Sequence, residues 1–459
     1  MLRGLVFFLK LAVLVAVAVW LAEQPGRVII TWLGYQVETS VGILLLAVAI
    51  VAVLAALTYR FWGGLLRAPR GVAELWRGRR RRHGYRAITQ GMVAVAAGEP
   101  EEARRFARKA DDLLDDPPLT MLLSAQAAQL NGDEDAAGRY FQAMLENPET
   151  RFLGLRGLLR QAQQRGDTEA ALEYARQAYD IRPDTAWVLW SLFDLGVAAG
   201  QYGTALDTVR ELQRANLVSR AQAARRRAVV LTQRARESHA RGELETAGED
   251  AREAVKEAPE FSPAAAIRAR VLLDQDHPKQ AARVIERAWS EQPHPELAAL
   301  YRETRPGSGP GDRYQALRRL ADRNPGHATS ERVLGEAALE AGEWGKARQH
   351  LERAAGEKPT EQLCRLMAEL EERENDDRDA ARHWLRRAAD APRDPAWTCT
   401  ACGTIAREWT VQCPHCTTFD GLAWQGGADD RAGASVVLPG ESGDSPGALT
   451  QDGDPAEAR

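Results

Sequence analysis

The sequence predicts an all-α protein: a two-helix membrane anchor, an α-solenoid of helical repeats, and a small four-cysteine module. Three observations carry that prediction. Two apolar stretches stand in the first 60 residues, a 34-residue period runs through the middle, and two Cys-x-x-Cys pairs lie near the C-terminus. At 459 residues the chain exceeds one ordinary domain of roughly 100 to 200 residues. With 45% hydrophobic and 27% charged residues, most of it is neither disordered nor a multi-span transporter.

The first apolar stretch, residues 4–22, is interrupted only by Lys10, and its 19 residues cover about 28 Å of a hydrocarbon core about 30 Å thick. Lys10 is close enough to the end for its amine to reach the interface. The second predicted span, 41–59, opens with 17 uncharged residues and leads into the interfacial aromatics Tyr59, Phe61 and Trp62. Between the spans, Val28, Ile30 and Trp32 alternate before Gly34, which reads as a short hairpin at the outer membrane surface. An interfacial loop held by Trp32 and Tyr35 is the alternative. Ala16-Val17-Ala18 would also fit a signal-peptide cleavage site in place of a first span.

The net charge of -4 hides an asymmetry. Residues 1–86 hold 12 Lys or Arg against Glu23, Glu38 and Glu74, so this head is +9 and the remainder -13. Nine of the twelve follow the second span, with Arg79, Arg80, Arg81 and Arg82 consecutive, whereas the loop between the spans has only Arg27, which places both termini in the cytoplasm by the positive-inside rule. The cluster abuts a membrane span and lacks interleaved aromatics, so anionic lipid, not nucleic acid, is its expected partner. The anchor is thus expected over 1–62 and an Arg-rich juxtamembrane linker over 63–84.

From 85 to 393 a turn-forming residue recurs with Ala five positions later: Gly98/Ala103, Gly132/Ala137, Gly166/Ala171, Gly200/Ala205, Gly242/Ala247, Asp276/Ala281, Gly311/Ala316, Gly342/Ala347 and Asn375/Ala380. The steps are 34, 34, 34, 42, 34, 35, 31 and 33. A small residue often follows seven after the Ala, as at Ala110, Ala178, Ala254, Ala288 and Ala354, and Pro twelve after it, as at Pro183, Pro259, Pro293, Pro359 and Pro392. Gly ends one helix, the small residues let helices pack closely, and Pro stops the next helix. The pattern resembles a tetratricopeptide array, in which each unit covers its neighbour's apolar face. An irregularity is expected at the 42-residue step and a bend or break at the Gly/Pro-rich segment 305–311. Trp187, Trp190 and Phe193 read as core or as a binding surface, and His239 and His350 as surface residues of helices. Cys364 reads as a small buried hydrophobe.

The module, 394–425, holds Cys399, Cys402, Cys413 and Cys416 as CxxC, ten residues, CxxC. Two such pairs place four soft thiolates around one tetrahedral ion, expected to be a single structural Zn in a closed, non-catalytic site, with Fe or no metal the alternatives. Gly403 supplies the turn after the first pair, whereas Thr417 occupies the corresponding place after the second. Cys413-Pro414 beside His415 could instead ligate haem iron, a reading that the four-thiolate arrangement outweighs. Beyond residue 426, seven acidic residues against Arg431 and Arg459 imply a disordered acidic tail.

Residues 22–40, the second span with Arg60, Phe61 and Trp62, and the repeats together resemble the HemY family of bacterial inner-membrane proteins. The resemblance implies a multi-pass inner-membrane protein that serves as a scaffold for enzymes of late porphyrin and haem synthesis, with no catalytic residues to carry over. An unrelated flavin-dependent oxidase shares the name, but this chain has no GxGxxG after an N-terminal strand. The four-Cys extension also resembles the LapB type of membrane-anchored repeat adaptors, which act on lipopolysaccharide synthesis through a membrane protease. Those have one anchor. No grouping of nucleophile, base and orienting residue is evident, so a non-enzymatic protein is expected.

Overall fold

The computed structural model describes residues 12–13, 16, 19–20, 27–32, 35–114, 117–356 and 358–426. They fall into two compact units, Met1–Thr150 and Arg151–Arg459. In the first, β1 (Arg27–Trp32) and β2 (Tyr35–Ser40) pair antiparallel, with Arg27 opposite Ser40 and Trp32 opposite Tyr35. The segment between the expected spans is therefore a hairpin. Helix α1 follows directly and runs unbroken for 57 residues, Val41–Ala97.

Its first part, Val41–Arg60, has a mean hydropathy of 2.9 and is not buried against the rest of the protein. At 20 residues it measures about 30 Å. Among the described residues it is the one helix long and apolar enough to cross a membrane. The expected first span, 4–22, lies outside the described residues except at 12–13, 16 and 19–20, which are helical. Residues 63–84, expected as a linker, are a stretch of α1 whose continuation packs as a repeat helix. There Ala87, Ile88 and Ala94 join Ala103, Ala107 and Ala110 of α2 (Pro100–Leu113) and Leu123 and Ala127 of α3 (Pro117–Leu130) in one core. Gly91 permits the approach of α3, since a Cβ there would stand 2.6 Å from Leu123 Cδ2. Helix α4 (Glu134–Met144) completes the pair with α3, and Asp133 caps it by accepting from the Ala136 N–H.

The second unit continues the alternation through α5 (Arg151–Gln164), α6 (Thr168–Ile181), α7 (Ala186–Ala198), α8 (Tyr202–Arg214), α9 (Arg220–Ala240), α10 (Leu244–Glu257) and α11 (Ser262–Asp274). It ends with α12 (Pro278–Glu291), α13 (Pro295–Glu303), α14 (Pro310–Ala321), α15 (Ala328–Glu340), α16 (Trp344–Ala355), α17 (Glu361–Asn375) and α18 (Arg378–Asp390).

The turn positions behave as the sequence implied. Gly98, Gly132, Gly166, Gly200, Gly242 and Gly342 all adopt φ between 67° and 80°, and Asp276 adopts 58°. Ala103, Ala137, Ala171, Ala205, Ala247, Ala281 and Ala347 are wholly buried where second helices meet first ones. Two expected turns differ. Gly311 lies inside α14, because Pro310 starts that helix early, and Gly307 makes the turn instead, with φ 80°. Asn375 is the last residue of α17, and Asp376 after it takes the left-handed conformation. The 42-residue step also has a simple cause. Helix α9 has 21 residues where α7 and α11 have 13, and the difference of eight separates 42 from 34. The expected break at 305–311 does not interrupt the core, which runs continuously from Ala265 of α11 to Leu370 of α17.

Candidate metal centre and its seam with the repeats

The four cysteines lie on two knuckles with matching geometry. Gly403 N–H donates to Cys399 O at 2.9 Å, and Thr417 N–H to Cys413 O at 2.9 Å. Each chain then turns back, so that Cys399 N–H reaches Thr404 O and Cys413 N–H reaches Thr418 O. Backbone N–H groups of Ala401 and Cys402 face the Cys399 sulfur, and those of His415 and Cys416 face that of Cys413. Both turns need a left-handed residue, Gly403 at φ 74° and Thr417 at φ 56°.

The Sγ atoms of Cys399 and Cys416 stand 3.6 Å apart and those of Cys402 and Cys413 3.7 Å, and all four lie within 4.8 Å of one another. Bonds of about 2.3 Å to one tetrahedral ion would separate four sulfurs by about 3.8 Å, so the spacing is that of a metal-binding cluster. Burial pushes the Cys413 thiol up to about 12. His415 beside it is exposed, and the Cys413 sulfur faces the other cysteines. A sheet of three short strands frames the cluster: β3 (Ala396–Cys399) lies between β4 (Ile405–Ala406) and β5 (Leu422–Gln425).

What this module does next has no signal in the sequence. It folds back on the repeats, and Trp397, Cys399, Ala406, Trp409, Cys413 and Leu422 share one apolar cluster with Phe193 of α7, Val229 of α9 and Phe261 at the start of α11. Phe419 meets Phe193 edge-on at 4.8 Å, Trp409 meets Phe261 at 5.2 Å, and Trp424 meets His294 at 4.4 Å. Arg225 grips Asp420 with two hydrogen bonds of 2.8 and 2.9 Å, and its guanidinium lies 4.0 Å from the centre of the Phe261 ring. Arg236 pairs with Glu408 at 2.7 Å and also donates to the Trp409 carbonyl. The returning chain is pinned at Asp394, which accepts from Thr360 Oγ1 and from Gln362 N–H at the start of α17. Every docking residue on the array comes from a first helix or its start, so the module covers the face formed by α7, α9, α11 and α13.

This explains part of the aromatic stripe. Phe193 is buried by the module, Trp190 lies under Arg226 at 5.0 Å, and half-buried Trp187 packs on Phe152. The seam is imperfectly satisfied. Arg226 Nε, His294 Nε2 and Trp409 Nε1 are buried without a hydrogen-bond partner among the described residues, and each such group costs about 1–3 kcal/mol. His294 Nδ1 accepts from the Glu296 N–H, which leaves the ring proton on Nε2, and burial with the nearby charge of Arg332 lowers its pKa to about 4. A cleft of about 400 Å³ opens beside it, lined by Arg236, Ile267, His294, Trp397, Arg407 and Trp424.

The other expected residues are placed as follows. Arg79, Arg80, Arg81 and Arg82 are exposed on α1, and Arg80 donates to Asp112 O at 2.5 Å. Cys364 is fully buried. His239 bonds Asp274 near the surface, but His350 is not a surface residue: it bridges Glu331 at 2.7 Å and Tyr314 at 3.3 Å inside the array.

Fold and module together define a class: a tetratricopeptide-like helical array behind an apolar helix, ending in a four-cysteine cluster. The comparisons refine it. Residues 26–132 match the family described as HemY protein N-terminus. The probable magnetosome protein Mms48 of Magnetospirillum gryphiswaldense is 27% identical over 439 residues, covering 92% of this chain and 93% of that protein. Protein HemY of Escherichia coli is 24% identical over 220 residues, 47% of this chain and 55% of its own length. Among solved structures, that of Naa15/Naa10 bound to HypK-THB shares 13% identity with a TM-score of 0.41, over 70% of this chain and 60% of that one. Residues 26–132 are thus similar to the HemY N-terminal family, in line with the resemblance read from the sequence.

Proposed function

We propose that the protein is a non-enzymatic scaffold of the bacterial inner membrane, associated with late porphyrin and haem synthesis, that recruits pathway enzymes to the cytoplasmic face. The observation that carries this reading is the HemY N-terminal domain at the hairpin and α1, leading without interruption into an array of repeats. In this reading two spans anchor the chain with both termini in the cytoplasm. Arg79, Arg80, Arg81 and Arg82 rest on anionic lipid, and the solenoid presents partner-binding surfaces. Cys399, Cys402, Cys413 and Cys416 hold one structural Zn, supported by sulfur spacings of 3.6 and 3.7 Å and by the thiolate donor set. An ion closed in by four protein ligands has no open position for a reacting water.

The four-cysteine module supports a second reading, an adaptor of the LapB type acting on lipopolysaccharide synthesis through a membrane protease. The similarity to the probable magnetosome protein Mms48 makes the magnetosome a further setting for the same scaffold chemistry. Affinity purification of the full-length protein from its native membrane in mild detergent, with partner mass spectrometry and metal analysis on one sample, separates them. Haem-pathway enzymes with about one zinc per chain are expected. A membrane protease or lipid A enzymes in their place would overturn the haem assignment.

A further inference from the structure

We propose that the four-cysteine module is a metal-dependent internal ligand of the array: loaded, it covers the face of α7, α9, α11 and α13, and stripped of metal, it releases that face. The inference rests on the reading of the four cysteines as a metal site.

The module spans about 30 residues, too few to hold a fold by apolar burial alone, so an ion at the four sulfurs would organise it. Its docking groups depend on that organisation. Trp397 and Trp424 are neighbours only through the β3–β5 register, and Glu408, Trp409, Phe419 and Asp420 sit on the two excursions that the knuckles close. The seam is built like an interface that opens. It joins ring edges with exposed or half-exposed ion pairs, and Arg226, His294 and Trp409, the residues with orphaned buried polar atoms among those described, all lie at it. Water can satisfy these groups when the module leaves. The released face would present Phe193, Phe261 and His294 with Arg225 and Arg236 freed of their carboxylates, the complement of an acidic segment with aromatic side chains.

The test is hydrogen exchange by mass spectrometry on the full-length protein in detergent, metal-loaded and after chelation, with metal content measured in each state. Metal removal should speed exchange in the module and in α7, α9, α11 and α13 at least tenfold, leave α15 and α16 unchanged, and reverse on adding zinc. A second variant separates docking from metal binding. Asp420→Arg, which removes the Arg225 pair but no thiolate, should open the same helices with metal still bound, and Arg225→Asp combined with Asp420→Arg should restore protection. Unchanged protection of α7 to α11 in verified metal-free protein, or in Asp420→Arg, would overturn the inference. A chain that never retains a metal would overturn the metal reading instead.

Discussion

At the scale of single residues, the two knuckles show how far sequence reasoning reaches. Spacing alone identified the four cysteines, and Thr417 was recognisable as a departure because Gly403 holds the equivalent place. The structure shows why it matters: Thr417 sits at φ 56°, where a β-branched residue is strained by about 1–2 kcal/mol. Thr417→Gly should therefore stabilise the module by about 0.5–1 kcal/mol net of glycine's entropy, read as a higher chelator concentration needed to strip the metal. An unchanged or lower concentration would show that the turn is not strained. His294 was not legible, because its burial comes from Trp397 and Trp424, more than a hundred residues away in sequence. Its folded pKa of about 4 lies below the roughly 6.5 of an unfolded histidine, so between these values the unfolded chain binds the extra proton. Its contribution is complete above pH 6.5 or so and is lost as pH falls toward 4, up to about 3 kcal/mol. Arg332 lowers the ring's pKa further, and Arg236, Glu296, Arg407 and Glu408 line the same cleft. His294→Gln should flatten the stability profile between pH 6.5 and 4.5 by nearly one proton in denaturant titrations, whatever its effect on the baseline. A slope equal to that of the unaltered protein would remove His294 as the cause.

At the scale of elements, periodicity was legible where one residue type must occupy one conformation. The left-handed turn glycines and the alanines at helix crossings are such places. Pro183, Pro259, Pro293 and Pro392 each fall two residues beyond the helix they end. Legibility failed where another residue could set the boundary. Pro310 pulled the start of α14 ahead of Gly311, and no local rule announced that α9 would absorb eight extra residues. A glycine outside the turn pattern illustrates the packing term. Gly335 faces buried Leu351 so closely that a Cβ would stand 2.5 Å from its Cδ2 and 2.7 Å from its Cγ. Gly335→Ala gains helix propensity of up to about 1 kcal/mol but overpacks α15 against α16 at a cost of about 1–3 kcal/mol. A net loss of stability is expected in thermal unfolding, and a rise in Tm would mean that the helices separate easily.

At the scale of the whole molecule, the order of anchor, repeats and module could be read along the chain, but their junctions could not. Juxtamembrane residues looked like a linker because Arg runs interrupt the apolar pattern, yet arginine is a good helix former and α1 continues through Arg79–Arg82 into the first repeat. Nineteen residues at 1.5 Å each put Arg79 about 28 Å along α1 from Arg60, so these arginines meet a lipid surface only where the helix lies along it. Arg79, Arg81 and Arg82 have exposed side chains with no ion pair among the described residues, so their charge is available to a lipid surface. Each is worth about 1 kcal/mol beside anionic headgroups at low salt. In nanodiscs, hydrogen exchange over residues 79–90 should be slower with anionic lipid than with zwitterionic lipid. The difference should shrink in 0.5 M salt, on the order of three times the physiological ionic strength, and vanish when all four arginines are replaced by glutamine. Protection that ignores both lipid charge and these substitutions would mean that the helix is held by packing on α2 alone, and that the basic cluster serves no lipid contact.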